Sequence, residues 1–323
     1  MTSRWDFGIA EDLGLVEDRI RRAIASEEAL LTEIADYMIS SGGKRIRPTV
    51  TILAFRALGG TDNAKAIEIA AALELIHSAT LLHDDINDRG EFRRGRPAAY
   101  LKFGLQEALV AGDFLFTKAF GIGGKFDPAI VDITARVCAT LAEGEIRQKR
   151  RLRDIGISQD DYLDIVRRKT AIPISAGARV GSMLAGARPL EVEAMAAYGL
   201  TLGTAFQIVD DILDIVGDEA TLGKRPGTDI KEGNVTLPAI HALNDGIAID
   251  RAELIRILRK REKPWGEVDT ALRMLRDSGA VDLARVEARA FAESAKSALE
   301  LIPPTRYKDE LVRLADYVVA RDR

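Results

Sequence analysis

Apolar residues recur at the i, i+3, i+4, i+7 spacing of helices along nearly the whole chain. Alternating apolar and polar runs bounded by Asn-Gly or Asp-Gly turns are almost missing. The pattern predicts an all-α fold. Two stretches carry little charge on any face: Ala64 to Asp88, and Met195 to Asp218, MAAYGLTLGTAFQIVDDILDIVGD. A helix apolar all round is normally enclosed by others, so these two are expected at the centre of a bundle of antiparallel helices. VEDRIRRAIASEEALLTEIADYMI and ALRMLRDSGAVDLARVEARAFAESAKSALELI have one apolar stripe and one charged face, as outer helices should.

Gly and Pro fall in short stretches such as SSGGKRIRP, ALGGTD, GIGGKFDP, LAGARP, GKRPGTD and KREKPWG, which read as interhelical turns rather than a long linker. A single domain over 1–323 is the expectation. With 47% hydrophobic and 30% charged residues, the chain can bury a substantial core. Its net charge of −4 argues against a general nucleic-acid binder, which needs a basic face. The longest apolar run, Ala66 to Leu82, is interrupted by Glu68, Glu74 and His77, so no membrane span is expected and any membrane contact would be peripheral. The N-terminal residues lack a basic start followed by an apolar run, and Cys138 is the only cysteine. A cytoplasmic protein without a disulfide is expected, with Cys138 in the core.

Both central helices end in aspartates. Asp84, Asp85 and Asp88 form Asp-Asp-x-x-Asp, and Asp210, Asp211 and Asp214 repeat it. Positions i and i+4 share a helix face, so Asp84 pairs with Asp88 and Asp210 with Asp214, and like charges so placed repel. Acidic groups at a helix C-terminus also oppose its dipole. One such motif could simply solvate a helix end. Two copies, each ending a core helix, point to a hard cation, and carboxylate oxygens without His or Cys suit Mg²⁺. Magnesium takes only one or two protein carboxylates and fills its shell with water and phosphate, so a polyphosphate is the natural ligand.

Cationic groups stand on turns and helix ends where they could meet such a ligand: Lys44 and Arg47, Arg93 and Arg94, Lys169 beside Thr170, and Lys224. Taken singly, each could be a solvated charge. His77 lies two turns before Asp84, near the same face, as a satisfied core residue or a phosphate donor. His83 is read as orienting or packing, and neither histidine as a metal ligand. The basic run EIRQKRRLRD reads as a solvated helix face.

In this order the motifs GGKRIRP, LLHDDINDRGEFRRGRP, GDFLF, AEGEIRQ, RRKTA, FQIVDDILD and GKRPGTDIKEGNVTLP are similar to those of the trans-isoprenyl diphosphate synthases, or polyprenyl synthetases. The resemblance implies an isoprenoid-synthase-type helical bundle around a central apolar tunnel, a homodimer, and Mg²⁺-dependent head-to-tail (1′-4) condensation of isopentenyl diphosphate with an allylic diphosphate. It implies that Asp84, Asp88 and Asp210 hold Mg²⁺ on the allylic diphosphate, supported by Asp85, Asp211 and Asp214. Lys169, Lys224 and Arg93 would contact that diphosphate. Lys44, Arg47, His77 and Arg94 would bind isopentenyl diphosphate, and Thr170 and Gln207 would line the reacting carbons. The departing diphosphate itself is expected to remove the final proton. One departure stands out: Asn234 replaces the second lysine that many members carry before TLP, with Lys231 nearby as a possible substitute.

In such enzymes large residues four or five positions before the first Asp stop the growing tail. Here they are Ala79 and Thr80, both small, with Ile76 the next obstacle. From Ala64 to Asp84 a helix runs about 30 Å at 1.5 Å per residue, room for six or seven isoprene units of about 4–5 Å. The expected product is an all-trans C25–C40 polyprenyl diphosphate, with geranylgeranyl (C20) as the alternative. A terpene cyclase fits poorly, because VDDILD is the synthase form of the second motif and GGKRIRP would have no role. Intact aspartates argue against a catalytically silent subunit.

Overall fold

The computed structural model describes residues 7–219, 223, 225–244 and 249–321. It is helical almost throughout, as the apolar periodicity requires. Among the described residues the β-structure is one two-residue hairpin, Phe92–Arg93 against Arg96–Pro97. Cα packing divides the chain into two compact units. One comprises Met1–Cys138, Pro173–Gly199 and Lys296–Leu314; the other Ala139–Ile172, Leu200–Ala295 and Ala315–Arg323.

The first unit opens with α1 (Ala10–Ala23), α2 (Ala29–Ser40), α3 (Ile46–Ala57) and α4 (Ala64–Asp88), continuing after the hairpin with α5 (Ala99–Phe103) and α6 (Leu105–Gly123). The central helix expected over Ala64 to Asp88 is α4. It packs chiefly on α6, with α3 and α1 on other sides, and from Ala66 to Ala79 only Glu68 and His77 escape full burial. It stops because Arg89 adopts the left-handed conformation and returns its N–H to the Asp85 and Ile86 carbonyls. The apolar stripe expected across Val16 to Ile39 is two helices. Glu28 caps the second by accepting from the Leu30 N–H, and the Ser26 N–H donates to Thr32 Oγ1, which breaks the run.

Helix α7 spans Pro128–Arg150, and α9 spans Ile172–Leu184. Within the first unit, α9 crosses α3 at very short range: a Cβ on Gly181 would lie 2.3 Å from the Thr51 carbonyl oxygen, and one on Gly177 2.5 Å from Thr51 Oγ1. Only glycine permits that approach. Cys138, expected in the core, is half-buried.

The second unit includes α8 (Gln159–Val166), the π turn Arg167–Ala171 that follows it, and most of α10 (Pro189–Val216). The sequence places the second central helix at Met195 to Asp218; it starts six residues earlier because Pro189 can occupy a first helical position, and it stops before Gly217. Ile208, Ile212, Leu213 and Ile215 of α10 pack in one apolar cluster with Val166, Leu237, Ile257 and Leu272. The long C-terminal stripe is again two helices, Trp265–Asp277 and Ala280–Ala298, interrupted by Gly279 at φ +81°. Both α4 and α10 are long and apolar enough to cross a membrane, yet 72% and 67% of their most apolar stretches are buried within the protein.

Candidate active site

In the first unit the α4 aspartates divide by environment. Asp85 is buried and clamped by Arg93, whose Nε donates to both carboxylate oxygens at 2.8 Å and whose Nη2 donates at 2.5 Å. Asp84 is half-buried and Asp88 exposed at the last turn. The hairpin after α4 exists to bring Arg93 and Arg94 back beside this helix end. Arg94, at φ +52°, lays its guanidinium on the backbone at Gly43, where a Cβ would meet Nη1 at 2.8 Å, and Nη1 donates to Ser41 Oγ at 3.4 Å. The second glycine of GGKRIRP, Gly43, is therefore an arginine seat.

His77 reports what gathers around it. Enclosure in the bundle, then the charges of Arg47, Arg94, Arg93 and Arg45, hold its imidazole well below the usual histidine range. A neutral ring among cations can donate a hydrogen bond without adding charge. Arg45 itself is spoken for, donating to Glu17 and Glu74 at 2.5 and 2.7 Å. Lys44 is half-buried on the same turn. His83 packs, as expected: its Nε2 lies 3.1 Å from the Leu109 carbonyl, and a Cβ on Gly112 of GDFLF would collide with that nitrogen.

On the chain-length face the structure separates neighbours. Thr80 and Ile76 stand one and two turns below Asp84; Thr80 is half-buried with its hydroxyl bonded to the His77 carbonyl, and Ile76 is enclosed. Ala79 lies one turn below His83, which meets α6, and is fully enclosed.

In the second unit the α10 aspartates divide in the same way. Asp211 is buried and accepts from the Tyr162 hydroxyl at 2.6 Å and from Gln207 Nε2 at 2.8 Å. Burial and the negative charges of Asp229 and Asp210 push its carboxyl well above the usual range, against the pull of those two donors. Asp214, also buried, accepts the Asp229 backbone N–H at 3.0 Å through Oδ2, capping the short helix Thr228–Glu232. Asp210 is more open and pairs with Arg321 Nη2 at 2.6 Å. That guanidinium is buried, stacked over Phe206 and bonded to its carbonyl at 2.7 Å.

The π turn supplies the remaining groups. Thr170 donates to Gln207 Oε1 at 2.7 Å, placing it in line with Asp211. Lys169 Nζ lies 2.5 Å from Glu145 Oε2 and donates to Gln148 Oε1 at 2.5 Å. Gly144 makes this possible, since a Cβ there would press on Lys169 Cγ at 3.0 Å and Arg168 Cβ at 2.8 Å. Lys224 lies outside the described residues. Lys231, considered a substitute for the missing lysine at position 234, turns elsewhere: its Nζ donates to the Lys263 carbonyl at 2.5 Å and sits 5.4 Å from the Trp265 ring centroid.

Sequence patterns did not identify Tyr162, Asp229 and Arg321 as partners of the second aspartates. Gln148 and Glu145 lie inside AEGEIRQ and were within reach of the motif; Arg321 had no local signal.

Among the described residues no three His, Cys, Asp or Glu side chains converge into a ready-made metal cage. The donor chemistry still fits magnesium, which asks for one or two carboxylates from each site and completes its shell with phosphate and water.

Known proteins resemble the chain over nearly its whole length. The polyprenyl synthetase family profile matches residues 28–275. The octaprenyl diphosphate synthase of Escherichia coli is 36% identical over 97% of both chains. The nonaprenyl diphosphate synthase of Mycobacterium tuberculosis is 36% identical over 97% of this chain and 92% of its own. A polyprenyl synthase from Caulobacter crescentus CB15, solved with calcium and isoprenyl diphosphate, superposes with a TM-score of 0.95 at 37% identity, covering 100% of this chain and 98% of that one. The chain belongs to the polyprenyl synthetase family and is a prenyltransferase of the trans-polyprenyl diphosphate synthase type.

Proposed function

We propose that the protein joins isopentenyl diphosphate head-to-tail (1′-4) to an allylic diphosphate and repeats the step to an all-trans C25–C40 product. The observation that carries the site assignment is the division of labour within each aspartate motif. Asp85, Asp211 and Asp214 are buried and held by Arg93, Tyr162 and the Asp229 amide, while Asp84 and Asp88 stand nearer the surface and Asp210, also less buried, faces the Arg321 guanidinium. Asp84, Asp88 and Asp210 would hold Mg²⁺, which when bound neutralises charge on the allylic diphosphate. Asp85 supports by orienting Arg93.

Arg93, Lys169 and Lys224 are assigned to the allylic diphosphate, where fixed cations stabilise the leaving group more as the C–O bond breaks than before. Lys44, Arg47, Arg94 and neutral His77 are assigned to isopentenyl diphosphate. Thr170 and Gln207 present oxygens toward the electron-poor allylic carbon, and apolar side chains of α4 exclude the water that would quench it. The diphosphate released takes up the proton lost from the new prenyl unit.

Thr80 and Ala79 leave the first turn below Asp84 without a large side chain, with Ile76 the first obstacle beyond them, and the octaprenyl and nonaprenyl diphosphate synthases among the relatives support a long product over geranylgeranyl diphosphate. The proposed assembly is a homodimer in the cytoplasm. Its support is the exposed apolar row Leu105, Leu109, Val110 and Phe120 on α6. Chromatography of the products from farnesyl diphosphate, isopentenyl diphosphate and Mg²⁺ tests the activity. A ladder reaching C25 or beyond is expected, and a reaction that stops at C15 or C20 sinks the chain-length reading.

A further inference from the structure

We propose that Asn234 is a positioning residue for Lys169, acting through Gln148, and thereby governs how firmly the allylic diphosphate is held. This deepens the functional reading and rests on its assignment of Lys169 to that diphosphate. The argument is one of hydrogen-bond polarity. A lysine ammonium only donates, so Gln148 must turn its Oε1 toward Lys169, and it does so at 2.5 Å. Its amide nitrogen is then left facing Asn234, which must answer with an acceptor; Oδ1 stands 2.9 Å from Gln148 Nε2. That in turn leaves Asn234 Nδ2 directed at the Glu232 carboxylate, 3.4 Å away.

An obligate donor at one end and an obligate acceptor at the other allow this row only one orientation. Reversing Gln148 sets its nitrogen against the ammonium and its oxygen against Asn234 Oδ1, and reversing Asn234 sets nitrogen against Gln148 Nε2 and oxygen against the Glu232 carboxylate.

The turn bearing Asn234 is fixed without help from Gln148. Gly233, at φ +102°, ends the short helix and returns its N–H to the Asp229 and Ile230 carbonyls. The Asn234 N–H donates to the Asp229 carbonyl at 2.8 Å, and the Arg153 N–H donates to the Gly233 carbonyl at 2.7 Å. Position 234 is therefore the stationary end of the row, and Lys169, paired on its other side with Glu145 at 2.5 Å, is the end it helps to steer. Lys231 contributes no charge here, being held at Lys263 and Trp265. A direct phosphate contact by Asn234 is the competing role, but its Oδ1 would repel an oxyanion and its Nδ2 faces Glu232.

The test uses the full-length enzyme and initial rates with farnesyl and isopentenyl diphosphates in wild type, Asn234→Ala, Asn234→Asp/Glu232→Gln, Lys169→Ala and the Lys169→Ala/Asn234→Ala double variant. Asn234→Ala should raise KM for farnesyl diphosphate about fivefold to tenfold, the scale of one hydrogen bond between neutral amides, with KM for isopentenyl diphosphate and the unfolding midpoint unchanged. Asn234→Asp keeps an oxygen facing Gln148 but sets its second oxygen against the Glu232 carboxylate, so it should restore most of the loss when combined with Glu232→Gln, whose amide supplies the donor. In the Lys169→Ala background Asn234→Ala should cost nothing further. An equal cost in both backgrounds, or no rise in the farnesyl KM, or no recovery with Asn234→Asp/Glu232→Gln, overturns the proposal. If Lys169→Ala itself leaves that KM unchanged, the assignment of Lys169 fails first and takes this proposal with it.

Discussion

Asp85, Asp211 and Asp214 meet Arg93, Tyr162 and the Asp229 amide, each on a neighbouring element of its own unit, whereas Asp84 is only half-buried. Asp84→Asn should therefore leave the fold intact, raise the Mg²⁺ concentration needed for half-maximal rate, and lower kcat/KM by about 10²–10³-fold, as loss of one charge-stabilising group does elsewhere. Steady-state kinetics over a Mg²⁺ titration measure it. His77 carries a pH signature. Its folded-state proton affinity lies well below that of an unfolded histidine, near 6.5, so between those values the unfolded chain binds a proton that the folded chain refuses. Stability then rises with pH through that window and is lost as pH falls below about 6.5, by at most ~1.4 kcal/mol per pH unit. Denaturant unfolding at pH 5 and pH 7 should show the slope in wild type and a shallower one in His77→Gln. At this scale the acidic and basic residues were legible because they cluster along the chain and like charges need a counterpart. Tyr162 and Arg321 were not, because 49 residues separate Tyr162 from Asp211 and Arg321 lies 115 from Phe206.

Helix α4 was legible end to end because its apolar surround and Arg89 terminus are local properties. The breaks at Ser26–Glu28 and Gly279 were not, since both apolar stripes run on through them in register. Close crossings are the element-scale feature that hydrophobic pattern hides. Gly181→Ala would drive a methyl into the Thr51 carbonyl, 2.3 Å from the ideal Cβ. Overpacking of this kind costs about 1–3 kcal/mol, and a Tm lower by several degrees in a thermal melt is the expected result. Along α4, Thr80→Phe adds a ring from a half-buried position on the Asp84 face, and Ala79→Tyr adds one from an enclosed position toward α6. Both should shorten the product seen by chromatography, with Thr80→Phe the cleaner test because Ala79→Tyr must also displace packed neighbours.

At the scale of the whole molecule, the boundary between the two compact units falls inside α7, at the start of α9, inside α10, and inside the helices Ala280–Ala298 and Arg306–Ala320. A unit that unfolds must break those helices. We propose that the chain behaves as one domain, and calorimetry should show one transition with equal calorimetric and van't Hoff enthalpies; two separated peaks would refute it.

The π turn at Arg167–Ala171 has a consequence for the whole α8–α9 rod. A π turn holds one residue more than the α turn it replaces, so the two flanking helices are out of phase by about 100°. That extra residue lets Lys169 and Thr170 reach Gln148 and Gln207 while Val166 before them and Ile174 after them stay in the core. Deleting any one residue of the five would restore a regular helix and rotate everything beyond it by that angle, so the length of this segment is as constrained as its composition.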